Sequence, residues 1–268
     1  MDISKLLFLT ACLFAALSCG RSGCCSDEKE TMYQVATLQS LMAGNFDGYV
    51  SIGELKTHGD VGLGTFHRAN GEMIVLDGCV YQALGDGSVV VADDSETTPF
   101  STVTWFDADI SPEIPPFENV SVLESRLDSV VYAYGRNFIY ALRLDVNACS
   151  IVFRSSLPQE KPYGPLSEVL PGKQRTFSTE NIGGTVVAVY FPSFFSSQNT
   201  PGWHFHFISG DRKQGGHLLE ISSAETAVAQ LDAAQSFCLY LPQDSTFSRR
   251  DYSEDMSDAI KAVEHPER

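Results

Sequence analysis

The sequence has no lysine- or arginine-rich run, and its 18 basic residues face 34 acidic ones, for a formal net charge of -16. Nucleic acid and anionic membrane surfaces, which need clustered positive charge, are therefore not the expected partners. The seven cysteines include no Cys-x-x-Cys pair, and four of them (Cys12, Cys19, Cys24 and Cys25) lie in or just after the N-terminal leader. Cys79, Cys149 and Cys238 remain, scattered singly. That argues against a zinc knuckle or a disulfide scaffold and predicts three buried free thiols. Internal repeats and low-complexity segments are also lacking.

What is present describes a globular protein. The 268 residues are 43% hydrophobic and 19% charged, enough for one large domain or two smaller ones with a real core. After Lys5, the apolar run Leu6–Leu17 is too short to span a bilayer comfortably and suits a signal-peptide core. Ala16-Leu17-Ser18-Cys19 resembles a bacterial lipoprotein processing site, with alanine where that pattern prefers leucine. Residues 1–19 are thus read as a signal peptide with lipidation at Cys19, and residues 20–32, small, polar and charged, as a flexible tether. The expectation is an exported protein, periplasmic or held in the cell envelope as a lipoprotein, with plain secretion as the alternative. Any membrane contact would run through the N-terminal anchor alone.

Folding is expected to begin near Tyr33. Ser51-Ile52-Gly53-Glu54 has capping-box spacing before Leu55, with Gly59 to end a short helix, and Ser121-Val122-Leu123-Glu124 repeats the signal. Leu123, Leu127 and Val130 or Val131 make one apolar helical stripe. Strand-like runs lie at 71–84, 88–92, 101–106 and 138–144. After the proline- and glycine-rich stretch 162–171, runs at 185–191, 203–208, 216–222, 226–231 and 236–241 read as consecutive strands of an antiparallel sheet or small barrel. A helix over 253–264, with Met256, Ile260 and Val263 on one side, closes the chain. The class is α+β with strand in excess.

Three of the six histidines fall within fourteen residues, in Gly202-Trp203-His204-Phe205-His206-Phe207-Ile208 and Gln214-Gly215-Gly216-His217. Residues two apart on a strand share a face, so His204 and His206 can reach one ion, and a glycine turn returns His217 as a third nitrogen. Three protein nitrogens and an open position are the usual holding of a catalytic zinc. Imidazole also suits iron, copper or nickel. Trp203, Phe205, Phe207 and Ile208 supply the apolar setting that limits water at such a site.

Other residues are ambiguous on local evidence. Glu72 opens the apolar strand Gly71-Glu72-Met73-Ile74 as a carboxylate aimed at a metal or as a solvated strand end. Arg154, after Ile151-Val152-Phe153, could enter a pocket or lie on the surface. Arg143 and Asp145 read as a structural ion pair, and Glu264 as helix-end solubility. A cupin-like metal-dependent oxygenase or isomerase also uses a His-x-His strand, although its motif puts a glutamate soon after the second histidine, and Phe207-Ile208-Ser209-Gly210-Asp211 has none. A non-catalytic zinc-binding surface lipoprotein is the third reading.

Several separated motifs agree with one family. Gly64-Thr65-Phe66, Gly71-Glu72-Met73-Ile74, Asp77-Gly78-Cys79-Val80-Tyr81-Gln82, Thr98-Pro99-Phe100, Thr104-Trp105-Phe106, 140–145, 202–208 and 214–219 resemble bacterial α-acetolactate decarboxylase, in its order and spacing from about Tyr33 to Glu264. One departure is Leu157-Pro158-Gln159, where many members have an arginine after the proline. The resemblance implies one Zn2+ per chain on His204, His206 and His217, with catalytic residues Glu72, Arg154 and Glu264. It implies Thr65 and Arg154 as substrate-binding residues, and 2-acetolactate as substrate, converted to acetoin and carbon dioxide. It further implies a homodimer of two-domain chains. A mixed sheet with helices would occupy 33–170, and an antiparallel barrel-like domain carrying the metal site would occupy 171–268, with the site between them.

Overall fold

Strand alternation sets the layering of this chain. The computed structural model describes residues 28–264. The expected signal peptide 1–19 with Cys19, and residues 20–27 of the expected tether, lie outside the described residues. Secondary structure begins earlier than Tyr33, with a 3-10 turn at Glu28–Glu30 and a strand at Thr31–Val35. Met32 is the reason: it is fully buried in a cluster with Leu63, Ile139 and Phe191, so it cannot belong to a tether.

The chain is α+β, mostly sheet. A seven-stranded sheet runs in the order Ser236–Tyr240, Thr31–Val35, Phe100–Thr104, Val61–Thr65, Glu72–Leu76, Cys79–Ala83, Val89–Val91. Only the first pair in that order is parallel. A second sheet of six strands runs Gln174–Phe191, Gly202–Ser209, Gly215–Ser222, Ile139–Ser156, Ala227–Ala234, Glu113–Ile114, with an added pairing between Gln174–Phe191 and Ile139–Ser156.

One expectation is corrected here. The strands after residue 171 form no closed barrel of their own: Gln174–Phe191, Gly202–Ser209 and Gly215–Ser222 complete a ring of pairings only through Ile139–Ser156. The long strand Ile139–Ser156 gives Gln174–Phe191 one edge and divides its other edge, residues 150–154 to Gly215–Ser222 and 139–144 to Ala227–Ala234. The latter continues only to Glu113–Ile114, so the sheet keeps an open edge. The sheets exchange strands across residue 170: Ile139–Ser156 joins the later strands, and Ser236–Tyr240 returns to the first sheet.

The sheets pack face to face. Val61, Ile74 and Leu76 of the first meet Val187 and Ile208 of the second. Met73, Val75 and Val103 point the other way, onto the short helix Ile52–Leu55. The outer face of the second sheet is covered by the helix Val120–Tyr134, whose Leu123, Leu127 and Val131 pack among Leu142, Leu144, Trp203, Phe205 and Phe207. Ser51 caps the first helix, accepting from the Glu54 amide, as its sequence predicts. The second is capped by Asn119 rather than Ser121, through the Val122 amide. Its Asn119 side chain is the Asx acceptor nearest the turn, so the helix starts one residue before the expected cap.

The expected terminal helix over 253–264 is shorter, Ser257–Glu264, and a separate short helix, Ser245–Arg249, precedes it. The predicted proline-rich break contains a helix, Leu166–Lys173. Cys79, Cys149 and Cys238 are free, but Cys149 and Cys238 are exposed and Cys79 is half-buried, against the expectation of buried thiols. Cys149 falls on the outward phase of 144–149, where inward and outward residues alternate. Arg143 pairs with Asp145 as expected, at 3.6 Å, and more closely with Asp77, at 2.7 Å.

Candidate active site

The sheet-to-sheet face that carries Ile208 also carries His204 and His206, while Trp203, Phe205 and Phe207 turn to the helix side. Two further residues join this face by cross-strand pairing, because residues directly opposite on antiparallel strands project together, and a third approaches it from the facing sheet. His217 stands opposite His206, Arg154 opposite His217, and Glu72 opposite Thr65 on the facing sheet. The Arg154–His217 pairing depends on a bulge. Val152 faces Glu220 but Phe153 faces Leu218, so Leu219 is an extra residue that flips the phase. Without it Arg154 would lie opposite Leu218 and away from the histidines.

All three imidazoles are buried, and their ligand atoms lie within 4.8 Å of one another. His204 Nε2 and His217 Nδ1 are 3.1 Å apart. The remaining contacts set the tautomers. His206 Nδ1–H donates to the Met73 carbonyl at 2.8 Å, which leaves its Nε2, without a hydrogen-bond partner, as a buried lone pair. His217 Nε2–H donates to the Glu264 carbonyl at 3.3 Å, which turns the lone pair of Nδ1 toward His204. Backbone carbonyls that hold the far nitrogen are the usual orienting partners of metal-ligating histidines. Burial, reinforced by neighbouring rings and by Arg154, pushes His206 and His217 well below the ordinary imidazole range, so both are neutral near pH 7. Neutral imidazole is the form that binds metal. Tetrahedral zinc, with bonds of about 2.0–2.1 Å, sets its ligand nitrogens about 3.3 Å apart, close to the spacing of His204 Nε2 and His217 Nδ1.

The expected acids and arginine converge on the same point. Glu72 Oε2 is 3.7 Å from His206 Nε2, and Glu264 Oε2 is 3.3 Å from His204 Nε2 and 3.8 Å from His217 Nδ1. Burial pushes the Glu72 carboxyl up to about 7; Arg154 pulls it back and Glu264 pushes it further. Arg154 is buried, donates from Nη1 to Gln174 Oε1 at 3.4 Å, and has no protein hydrogen bond at Nε. Thr65 borders the same cavity, but its hydroxyl donates to the Gly71 carbonyl, so a ligand would meet an oxygen lone pair.

Glu264 arrives from a short helix. Eight residues do not hold a helix in water. Ile260 and Val263 dock it against Leu38, Met42, Phe46 and Leu166, each burial contributing about 1.5–3 kcal/mol.

Two cavities meet at His204, His217 and Glu264. A small one continues past Arg154, Glu72 and Thr65 into an apolar end. A cleft of about 830 Å³ opens on the other side, edged by Glu124, Asp128 and Glu220. Sequence reasoning missed Met73 and Gln174. Met73 acts through its carbonyl, which leaves no side-chain signal. It also missed the loop before Glu72, where Arg68, Ala69 and Gly71 all have positive φ. Side chains of Thr65, Gln82 and Ser156 hold that loop by its carbonyls.

The pattern of matches to known proteins agrees with this site. The family model for alpha-acetolactate decarboxylase matches residues 32–254. The chain belongs to the alpha-acetolactate decarboxylase family. Among the family's curated members, the Methanosarcina mazei protein is 36% identical over 239 residues, covering 89% of this chain and 82% of its own length. The Bacillus licheniformis member is 33% identical over 236 residues, covering 88% and 92%. The crystal structure of the Bacillus subtilis strain 168 alpha-acetolactate decarboxylase superposes with a TM-score of 0.83 at 29% identity, over 88% of this chain and 99% of that one. The family match ends before Glu264, which the fold nevertheless brings against the histidines.

Proposed function

We propose that the chain decarboxylates 2-acetolactate to acetoin and carbon dioxide with one zinc ion held by His204, His206 and His217. The observation that carries the reading is the convergence of two oriented imidazole lone pairs and His204 Nε2 beside a buried arginine. Family membership supports the substrate. Relatives under the same name do not establish the metal, and zinc is chosen from the all-nitrogen donor set and the spacing.

Loss of carbon dioxide from a β-keto acid leaves an electron pair that the adjacent ketone must accept. When bound, zinc would supply Lewis-acid polarisation of that ketone and stabilise developing negative charge. Arg154 binds the carboxylate through its free donors, and its burial strengthens each charge-assisted hydrogen bond. Glu72, with a pKa near neutrality, is suited to take and return a proton, and Glu264 is the second candidate for that exchange. The apolar cluster behind Glu264 restricts water.

The test is removal of metal. Dialysis against a chelator should abolish acetoin formation, and zinc should restore it; full activity in a verified metal-free preparation sinks the reading. A cupin-like oxygenase would instead require ferrous ion and consume oxygen. A zinc-sequestering lipoprotein would bind metal and release no carbon dioxide. From the leader we infer export, with Cys19 as lipid anchor or with plain secretion. From the family resemblance we infer a homodimer of two-domain chains. Cleavage mapping by mass spectrometry and sedimentation equilibrium test these two inferences.

A further inference from the structure

The small cavity is divided. One end presents His204, His217, Glu72, Glu264 and Arg154; the other is closed by side chains from three separate short helices. Leu41 comes from Leu38–Met42, Leu166 and Leu170 from Leu166–Lys173, and Val263 from Ser257–Glu264. Leu166 and Leu170 are four apart and so share a helix face. These four keep 5–7% of their surface open, more than Leu38 and Phe100, which line the same cavity and keep 1% and 2%. The open edges are the cavity wall.

We propose that Leu41, Leu166, Leu170 and Val263 gauge the alkyl group of the substrate, restricting the site to 2-hydroxy-3-oxo acids with a short substituent at carbon 2. The inference rests on the decarboxylase reading above. Carboxylate, hydroxyl and ketone oxygens sit on adjacent carbons of such an acid and occupy the polar end together. Its alkyl groups then face the apolar end of this cavity, because a buried polar group needs a partner and an alkyl group offers none. The wide cleft cannot serve the same purpose: Glu124, Asp128 and Glu220 at its edge repel a carboxylate, and neither Arg154 nor Glu72 lines it. One methylene in an apolar pocket typically changes kcat/KM by roughly 10–200-fold.

The experiment is a competition. Zinc-loaded protein receives equal concentrations of 2-hydroxy-2-methyl-3-oxobutanoate and its 2-ethyl homologue, and the two hydroxyketones are quantified by gas chromatography. The product ratio reports relative kcat/KM and is independent of how much of a preparation is folded. Leu170→Ala should raise the ethyl-to-methyl ratio about tenfold, and Leu166→Phe should lower it. Ratios within twofold of wild type in both variants overturn the proposal. If Leu170→Ala yields no soluble protein, Leu170→Val reads the same ratio with a smaller deletion. Wild-type protein that forms neither hydroxyketone refutes the decarboxylase reading itself, a result distinct from an unchanged ratio.

Discussion

Gly216→Ala is the most exacting single change for this site. Gly216 adopts φ +154, and a Cβ there would stand 2.3 Å from the Arg154 carbonyl oxygen and 3.2 Å from Phe153 Cδ2. An ordinary carbon–oxygen contact is about 3.3 Å, so the two strands must part by about 1 Å. Overpacking of this kind costs roughly 1–3 kcal/mol, and a side chain in that backbone region about 1–3 kcal/mol more. At about 2–4 °C per kcal/mol for a chain of this size, the melting temperature should fall by roughly 5–20 °C. The displaced residues are Arg154 and its cross-strand partner His217, so the damage reaches the chemistry. A 1 Å misplacement can cost about a hundredfold in rate. Thermal unfolding, zinc content per chain and acetoin formation would be measured beside Gly172→Ala, whose Cβ meets nothing within 4 Å. Gly216→Ala protein that melts within 2 °C of wild type (about 1 kcal/mol or less) and turns over normally would refute the strand contact on which the site geometry rests.

Other expectations follow from the same contacts. Arg154→Ala should lower turnover by about 10²–10³-fold while zinc content holds, and Arg154→Lys should recover little because it lacks the planar fork; near-wild-type turnover removes Arg154 from the site. Ile260→Ala, at a cost of about 2–5 kcal/mol to the docked helix, should speed hydrogen exchange over 257–264 and reduce activity; unchanged exchange there would mean that the helix is held otherwise. Asp232 is buried, and burial, with help from Asp109, Glu30 and Asp107, pushes its carboxyl up to about 7. A raised carboxyl favours folding below its unfolded value near 3.9 and loses that contribution as pH rises through 7. Asp232→Asn should therefore gain stability over wild type from pH 5 to pH 8, by at most about 4 kcal/mol. A pH-independent difference between the two in denaturant titrations would contradict this.

Side-chain direction along one strand is a local property, and here the sequence was sufficient. The two-residue spacing of His204 and His206 puts both on one face wherever the strand packs. The same holds for the apolar stripe of Leu123, Leu127 and Val131, and for the Ser51 cap. The glycine turn offered His217, resemblance to a family added Glu72, Arg154 and Glu264, and each of the four reaches the cluster by a non-local step. Glu72 comes from the facing sheet, and Arg154 needs the extra residue Leu219 to reverse its phase. His217 needs a glycine thin enough to pass the Arg154 carbonyl. Glu264 needs a helix that forms only when Ile260 and Val263 find their partners.

Periodicity likewise marks strands without naming their neighbours. Ser236–Tyr240 reads as one more strand of an antiparallel run, yet it pairs in parallel with Thr31–Val35 some two hundred residues away. Exposure of Cys149 and Cys238 depends on which face meets solvent, which no count of cysteines contains. Local chemistry and spacing settle what a residue can do and which way it points. The meeting of two sheets and a terminal helix settles what it meets, because that choice is made by apolar surfaces far apart in the chain.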